Sequence, residues 1–250
     1  MNPCLSKFRF WFAFIQETLF PRGCALCGKS LYADAFYGLC RNCREKLSIP
    51  YAERGRCSIC GQPLISELET CLPCRNGPER SFDRLVSLYP YMGMYKKALG
   101  EYKFKRSLNL GNFFAEKITQ GLDLLLKNED VSDFCLAPVP PRPGKIKHSG
   151  WDQIEYLAKL LERGHSVSLK RCLKRLPSVS QKKLNREKRL LNLKGKIIIN
   201  KKIFGNTPLI PKTVILFDDV YTTGATMDAC ASALKSAGTE RVFGICLCYD

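Results

Sequence analysis

Histidine is scarce in this 250-residue chain and acid is outnumbered by base: two His, and 23 Asp and Glu against 40 Lys and Arg. Neither His148 nor His165 is assigned a catalytic role, and His165 is expected in an exposed loop. Long apolar runs are missing as well, so no stretch is expected to span a bilayer. The most apolar segment lies at the start, with Phe8, Phe10, Trp11, Phe12, Phe14, Ile15 and Leu19 behind Lys7 and Arg9. Gln16-Glu17 interrupt it and no small-residue cleavage site follows, which argues against a signal peptide. Residues 1–20 are instead expected to form an amphipathic helix packed on the body, with peripheral membrane contact as the alternative. Low-complexity sequence is absent, and the one internal repeat is a duplicated cysteine pattern. A cytoplasmic protein is the expectation.

The shortage of acid is local. Residues 159–202 hold fifteen Lys or Arg against Glu162 and Glu187, or +13 of the total +17. Such a concentration suits a polyanion: a pyrophosphate-bearing small molecule, a nucleic acid, or both. A solvated basic face is the plainer alternative. With 45% hydrophobic and 25% charged residues, the chain has the composition of a globular domain with a smaller appendage.

Eight of the fourteen cysteines form four C-x-x-C pairs: Cys24/Cys27, Cys40/Cys43, Cys57/Cys60 and Cys71/Cys74. A two-residue gap lets one turn aim both thiolates at one ion, and two such turns complete a tetrahedral site. Gly28 and Gly61 each follow the second Cys of a pair, where the knuckle favours positive φ. A double zinc ribbon is expected, the first two pairs binding one Zn²⁺ and the last two another. Spacing leaves cross-brace pairing and an iron–sulfur cluster open. Disulfides do not suit a reducing compartment. No His or carboxylate joins the thiolates, so the sites are expected to be structural. Cys4, Cys135, Cys172, Cys230, Cys246 and Cys248 are expected as small buried apolar residues. The breaker cluster Arg75-Asn76-Gly77-Pro78 divides a ribbon module at 21–77 from a body at 78–250.

The apolar run Val214-Ile215-Leu216-Phe217 leads into Asp218-Asp219 and then Val220-Tyr221-Thr222-Thr223-Gly224-Ala225-Thr226, followed by a helical pattern over 227–237. Free N–H groups and Thr hydroxyls at a helix N-terminus form a seat for phosphate. The adjacent carboxylates can accept hydrogen bonds from a vicinal diol. A phosphate and a diol at that separation describe a ribose 5-phosphate. The plainer alternative is a strand–turn–helix corner with an N-cap.

The ten residues from Phe217 to Thr226 resemble the phosphoribosyl-pyrophosphate (PRPP) loop of type I phosphoribosyltransferases. The resemblance implies that Asp218 and Asp219 clamp the ribose hydroxyls. Tyr221, Thr222, Thr223, Gly224, Ala225 and Thr226 would then cradle the 5-phosphate. It also implies PRPP with Mg²⁺, and displacement of pyrophosphate from C1. Across nearly its whole length the chain resembles the ComF/GntX-type competence phosphoribosyltransferases, through Leu19-Phe20-Pro21, the paired ribbons, Pro138-Val139-Pro140 and Gly150-Trp151-Asp152-Gln153. By that resemblance the loop after Pro138 faces pyrophosphate, Gly150 opens the following helix, and Gln181, Leu184, Arg189 and Asn192 belong to a hood. Ser149 stands where the family has Arg, Trp151-Asp152 replace Phe-Asn, and Ser178 replaces Thr. Arg142 and Lys103 are the cations expected at PRPP, with Lys145, Lys147 and His148 beside Arg142. For Lys103 and Lys105 the alternative is a solvated surface, and for Gln153 a helix-face amide.

Strands are expected over 84–91, 133–137, 167–173, 196–204, 213–217 and 241–248, and helices over 94–99, 110–126 and 150–161. Their alternation implies a mainly parallel α/β sheet flanked by helices. The family resemblance implies a role in DNA uptake, with single-stranded DNA on the basic region and competence-machinery proteins as partners. Nucleobase salvage is a second expectation, although little sequence follows the final strand to read a base. A non-catalytic PRPP-sensing adaptor is a third.

Overall fold

The computed structural model describes residues 23–48, 55–64, 69–164, 167–177, 193, 195–203 and 210–250. The expected N-terminal helix, His165 and the hood positions Ser178, Gln181, Leu184, Arg189 and Asn192 lie outside them, as does much of the basic stretch. By packing, the chain forms two compact units: Met1–Pro50 with Met92–Phe113, and Tyr51–Tyr91 with Phe114–Asp250.

In the first unit the opening cysteine knuckle is a tight turn, with Cys24 N donating to Lys29 O (2.8 Å) and Gly28 N to Cys24 O (2.9 Å). A 3₁₀ turn over Tyr32–Tyr37 leads to helix α1 (Arg41–Leu47). Helix α3 (Gly93–Lys105) follows later in the chain and stops at Arg106, whose φ of 55° ends the helix. Lys97 Nζ donates to Leu26 O and Asn109 Nδ2 to Ala35 O, both at 2.7 Å. Leu26, Leu39, Leu47, Ala98, Leu99 and Tyr102 are buried. Helix α3 reaches well past the turn expected at 94–99.

The second unit opens with the other knuckle pair and helix α2 (Leu72–Arg75). Its sheet comprises β1 (Arg84–Pro90), β2 (Cys135–Pro138), β5 (Thr213–Tyr221) and β6 (Arg241–Tyr249), in the order β1-β6-β5-β2. Every pairing is parallel. Helix α4 (Leu110–Glu129) lies against one face, where Gly121 leaves room for Ile245 and Leu88. Helix α7 (Ala225–Lys235) lies on the other, where Gly244 faces Leu85 and Met227. Gly244 and Ile245 are successive in β6 and so point to opposite faces. Both faces are therefore covered, which explains why these strands are continuously apolar rather than alternating.

Two expected strands differ. Residues 167–173 yield a single parallel bridge, Leu169 to Leu136, before β3 (Leu173–Arg175). Residues 196–204 yield β4 (Ile197–Ile199), which pairs antiparallel with β3 outside the main sheet. Asn200 ends β4 by accepting from Ile203 N (3.0 Å) and donating through Nδ2 to Arg171 O (3.2 Å), forming a turn.

The second knuckle is built into the free edge of β1. Leu85 N donates to Ile59 O (2.8 Å), Ser87 Oγ to Cys60 O (2.9 Å), and one Arg56 guanidinium nitrogen to both Gly61 O and Ser87 O. Edge groups that would otherwise be open to another strand are thus satisfied. Gly61 has φ 68° and a Cβ there would lie 2.4 Å from Leu85 O, so only glycine permits the approach. Cys57, Cys60 and Cys74 share a core with Phe82, Tyr221, Met227 and Cys246.

Candidate functional site

Strand β5 runs on through the acidic pair to Tyr221, in register with β6 as far as Tyr249. Asp218 and Asp219 therefore sit inside the last turn of the pleat and not beyond it. Neighbours in a strand face opposite ways. Asp218 faces the α7 side, where it lines a polar pocket with Val220 and residues 221–227. Asp219 is 6% exposed, and its Oδ2 accepts from Gln153 Nε2 at 2.6 Å. One carboxylate of the pair thus borders the pocket and the other accepts from Gln153 on the opposite face.

Gln153 opens helix α6 (Gln153–Gly164). Its cap is Asp152, whose Oδ1 accepts from Ile154 N (2.9 Å) and Glu155 N (3.0 Å). Gly150, expected from the resemblance to open this helix, does not do so; with φ 73° it closes the short helix α5 (Lys145–Ser149). The sequence signal for the true start was Asp152-Gln153-Ile154-Glu155, an N-cap followed three residues later by Glu. Lys145 Nζ donates to Asp152 Oδ2 (2.5 Å) and to Gln153 Oε1, so Lys145, Gln153 and Asp219 form one polar chain. Ser149, where the family has Arg, has its hydroxyl within bonding distance of Lys145 O (2.7 Å) and Trp151 O (2.9 Å).

The loop itself is Thr222-Thr223-Gly224, and Gly224 caps α7 with φ 78°. Thr223 Oγ1 accepts from Ala225 N at 3.4 Å, which occupies that amide, while Thr226 and Met227 of the first turn of α7 line the pocket. A Cβ on Gly224 would lie 2.7 Å from the Tyr221 hydroxyl. Gly224→Ala is expected to cost about 1–3 kcal/mol through left-handed backbone strain and this clash. Urea unfolding checks it, and an unchanged midpoint would contradict the geometry.

Arg142 is exposed in the turn after Pro138, and its carbonyl accepts from Lys145 N (3.1 Å). Lys103 lies in the last turn of α3, in the first compact unit. Arg175, within the basic stretch expected to suit a polyanion, ends β3. It is partly buried, its Nε has no hydrogen-bond partner, and burial, then Arg142, pull its pKa below the usual value while Asp218 opposes them. Cys246, paired with Asp218, is pushed well up by burial and then by both carboxylates, which keeps it a neutral thiol. Within the basic stretch, Arg171 is tied to Glu155 and Glu162 at 2.8 Å each, so part of that charge is neutralised locally.

The eight cysteines assemble in sequential order: Cys24, Cys27, Cys40 and Cys43 in one group, and Cys57, Cys60, Cys71 and Cys74 in the other. Within each, the four sulfurs lie inside 4.8 Å of one another. Four thiolates about 2.3 Å from one ion would stand roughly 3.8 Å apart, so each group fits a single tetrahedral Zn²⁺. Cross-brace pairing is excluded, and all four positions of each site are filled by sulfur. The sites are structural. Gly28 and Gly61 have φ 77° and 68°, as the knuckle requires.

A parallel sheet with helices on both faces, an acidic strand end and a glycine-bearing helix start defines a phosphoribosyltransferase-like α/β protein, here joined to a cysteine-bound zinc module. Residues 15–75 match the model of the double zinc ribbon domain. Over 80% of its length the chain is 29% identical to competence protein ComFC of Bacillus subtilis (strain 168), covering 79% of that protein. It is 25% identical to competence protein F of Haemophilus influenzae, over 88% of this chain and 93% of the relative. Competence protein ComFC of Streptococcus pneumoniae is also 25% identical, over 88% of this chain and 96% of the relative. The resemblance to the ComF/GntX-type competence family therefore holds over most of the chain. No helix among the described residues is long and apolar enough to cross a membrane.

Proposed function

We propose that this protein serves natural competence as a PRPP-binding protein of phosphoribosyltransferase type. The observation that carries the proposal is the convergence of Asp218 and residues 221–227 on one pocket at the end of β5. The 5-phosphate would take the loop hydroxyls and the first amides of α7, where the helix dipole favours an anion. Asp218 would accept from the ribose hydroxyls. Asp219, oriented by Gln153, would supply a second negative charge behind them. Mg²⁺ would arrive with the pyrophosphate and neutralise part of its charge, and Asp218 is the carboxylate on the pocket side that could share it. Arg142 and Arg175 are the cations suited to the departing pyrophosphate. Lys145 is committed to the Asp152–Gln153 pair and acts by holding Gln153.

Pyrophosphate release from PRPP, with and without candidate acceptors, separates transfer from binding alone. Acceptor-dependent release would establish a transferase; binding without release would establish a PRPP-sensing adaptor.

The homologues' names support a role in competence, and the basic stretch at 159–202 supports single-stranded DNA as a partner. Five or more phosphate contacts would make log affinity fall with log salt at a slope of about −3.5 or steeper. Fluorescence anisotropy with a labelled oligonucleotide, between 50 and 200 mM salt (order-of-magnitude conditions, about fourfold apart), measures it. A flat dependence removes DNA from this account.

A further inference from the structure

The second cysteine group and the phosphate loop share a wall. Cys60, Cys71 and Cys74 line one side of a small polar cavity, and Tyr221, Thr222 and Thr223 line another. Arg80 completes it. All three guanidinium nitrogens of Arg80 are buried, and none has a hydrogen-bond partner. A guanidinium stripped of water with no acceptor is strongly disfavoured, so negative charge must face it. Four thiolates around one Zn²⁺ carry a net charge of −2.

The same short segment grips both ends of the loop. Phe82 packs edge-on against Tyr221, with ring centroids 6.4 Å apart. Ser81 N donates to Asp228 Oδ1 (2.7 Å) in the first turn of α7. From the knuckle, Gln62 Nε2 donates to Asp250 O (3.1 Å), and Asp250 N donates to Tyr221 O (2.9 Å). Zinc ligands, Arg80 and loop are therefore mechanically continuous within one compact unit.

We propose that Arg80 is a positioning residue which, held by the charge of the zinc-loaded second group, fixes residues 221–223, so that zinc at Cys57, Cys60, Cys71 and Cys74 sets the loop's affinity for a phosphate ester. This rests on the phosphate-binding role proposed above for the loop. The test uses the full-length zinc-loaded protein, Arg80→Met, Arg80→Lys, and wild type titrated with a zinc chelator. Amide hydrogen exchange over 221–226 and calorimetric PRPP affinity are both measured. Arg80→Met is expected to speed loop exchange by about tenfold and weaken PRPP by a similar factor. Arg80→Lys keeps the charge and is expected to restore most of both, and zinc withdrawal should raise loop exchange at least as far as Arg80→Met does. Loop exchange unchanged in Arg80→Met, or equal losses in the Lys and Met variants, overturns the proposal. If exchange responds as expected while wild type binds no PRPP, Arg80 keeps its role and the ligand assignment fails. Should Arg80→Met fail to fold, the Lys variant and the zinc titration still decide.

Discussion

Replacing Asp218 by alanine is expected to abolish measurable PRPP binding while leaving the fold and zinc content intact. A carboxylate accepting hydrogen bonds from two ribose hydroxyls contributes roughly 1.5–3 kcal/mol per charged bond. Losing both weakens binding by at least about 100-fold. The fold should survive because Asp218 borders the pocket, and its Oδ1 accepts locally from Asp219 N at 2.8 Å. Asp218→Asn keeps the shape and loses the charge, so an intermediate loss of about tenfold is expected. Asp219→Ala should behave differently. It removes a buried carboxylate and the acceptor of the bond from Gln153 Nε2, so stability falls together with affinity. Calorimetry alongside urea unfolding distinguishes the two. If Asp218→Ala binds PRPP like wild type, the ribose contact lies elsewhere.

Removing zinc should have the largest effect on stability. Structural sites of this kind contribute on the order of 10–16 kcal/mol of apparent binding energy in isolated fingers. Even a fraction of that is large against the net stability of a domain. Cys43→Ser, which breaks the first site, is expected to remove about 5 kcal/mol or more and lower Tm by about 10–20 °C. Cysteine loss in itself does not account for this. Cys230→Ala, buried on α7 outside both groups, is expected to cost only about 1 kcal/mol. Differential scanning calorimetry with zinc analysis makes the comparison, and equal shifts in the two variants would show that the first site carries no structural metal.

The parts of the fold that were legible in the sequence were those written contiguously. The β5–α7 corner, Val214 to Thr226, is written in one unbroken run, and each cysteine pair announces itself by spacing alone. Sequential grouping of the pairs needed the three-dimensional arrangement, because spacing permits both pairings. The antiparallel β3–β4 pair was missed because Ile197-Ile198-Ile199 has the composition of a buried sheet strand. Local pattern does not reveal which partner such a run chooses. Gly150 misled for a related reason: a glycine before a helical pattern can close the preceding turn as well as open the next, and Asp152 made that decision. The Gln153–Asp219 bond joins residues 66 apart in the chain, and Arg80 meets residues 221–223 only after the knuckle docks on β1. Such long-range juxtapositions leave no periodic trace.

The corner at the end of β5 stands or falls on a calorimetric titration of the zinc-loaded, full-length protein with PRPP and Mg²⁺, run beside ribose 5-phosphate. A saturable one-to-one isotherm for PRPP, with weaker binding of ribose 5-phosphate at the same site, is the predicted result. No heat and no protection of residues 221–226 with either compound would contradict it.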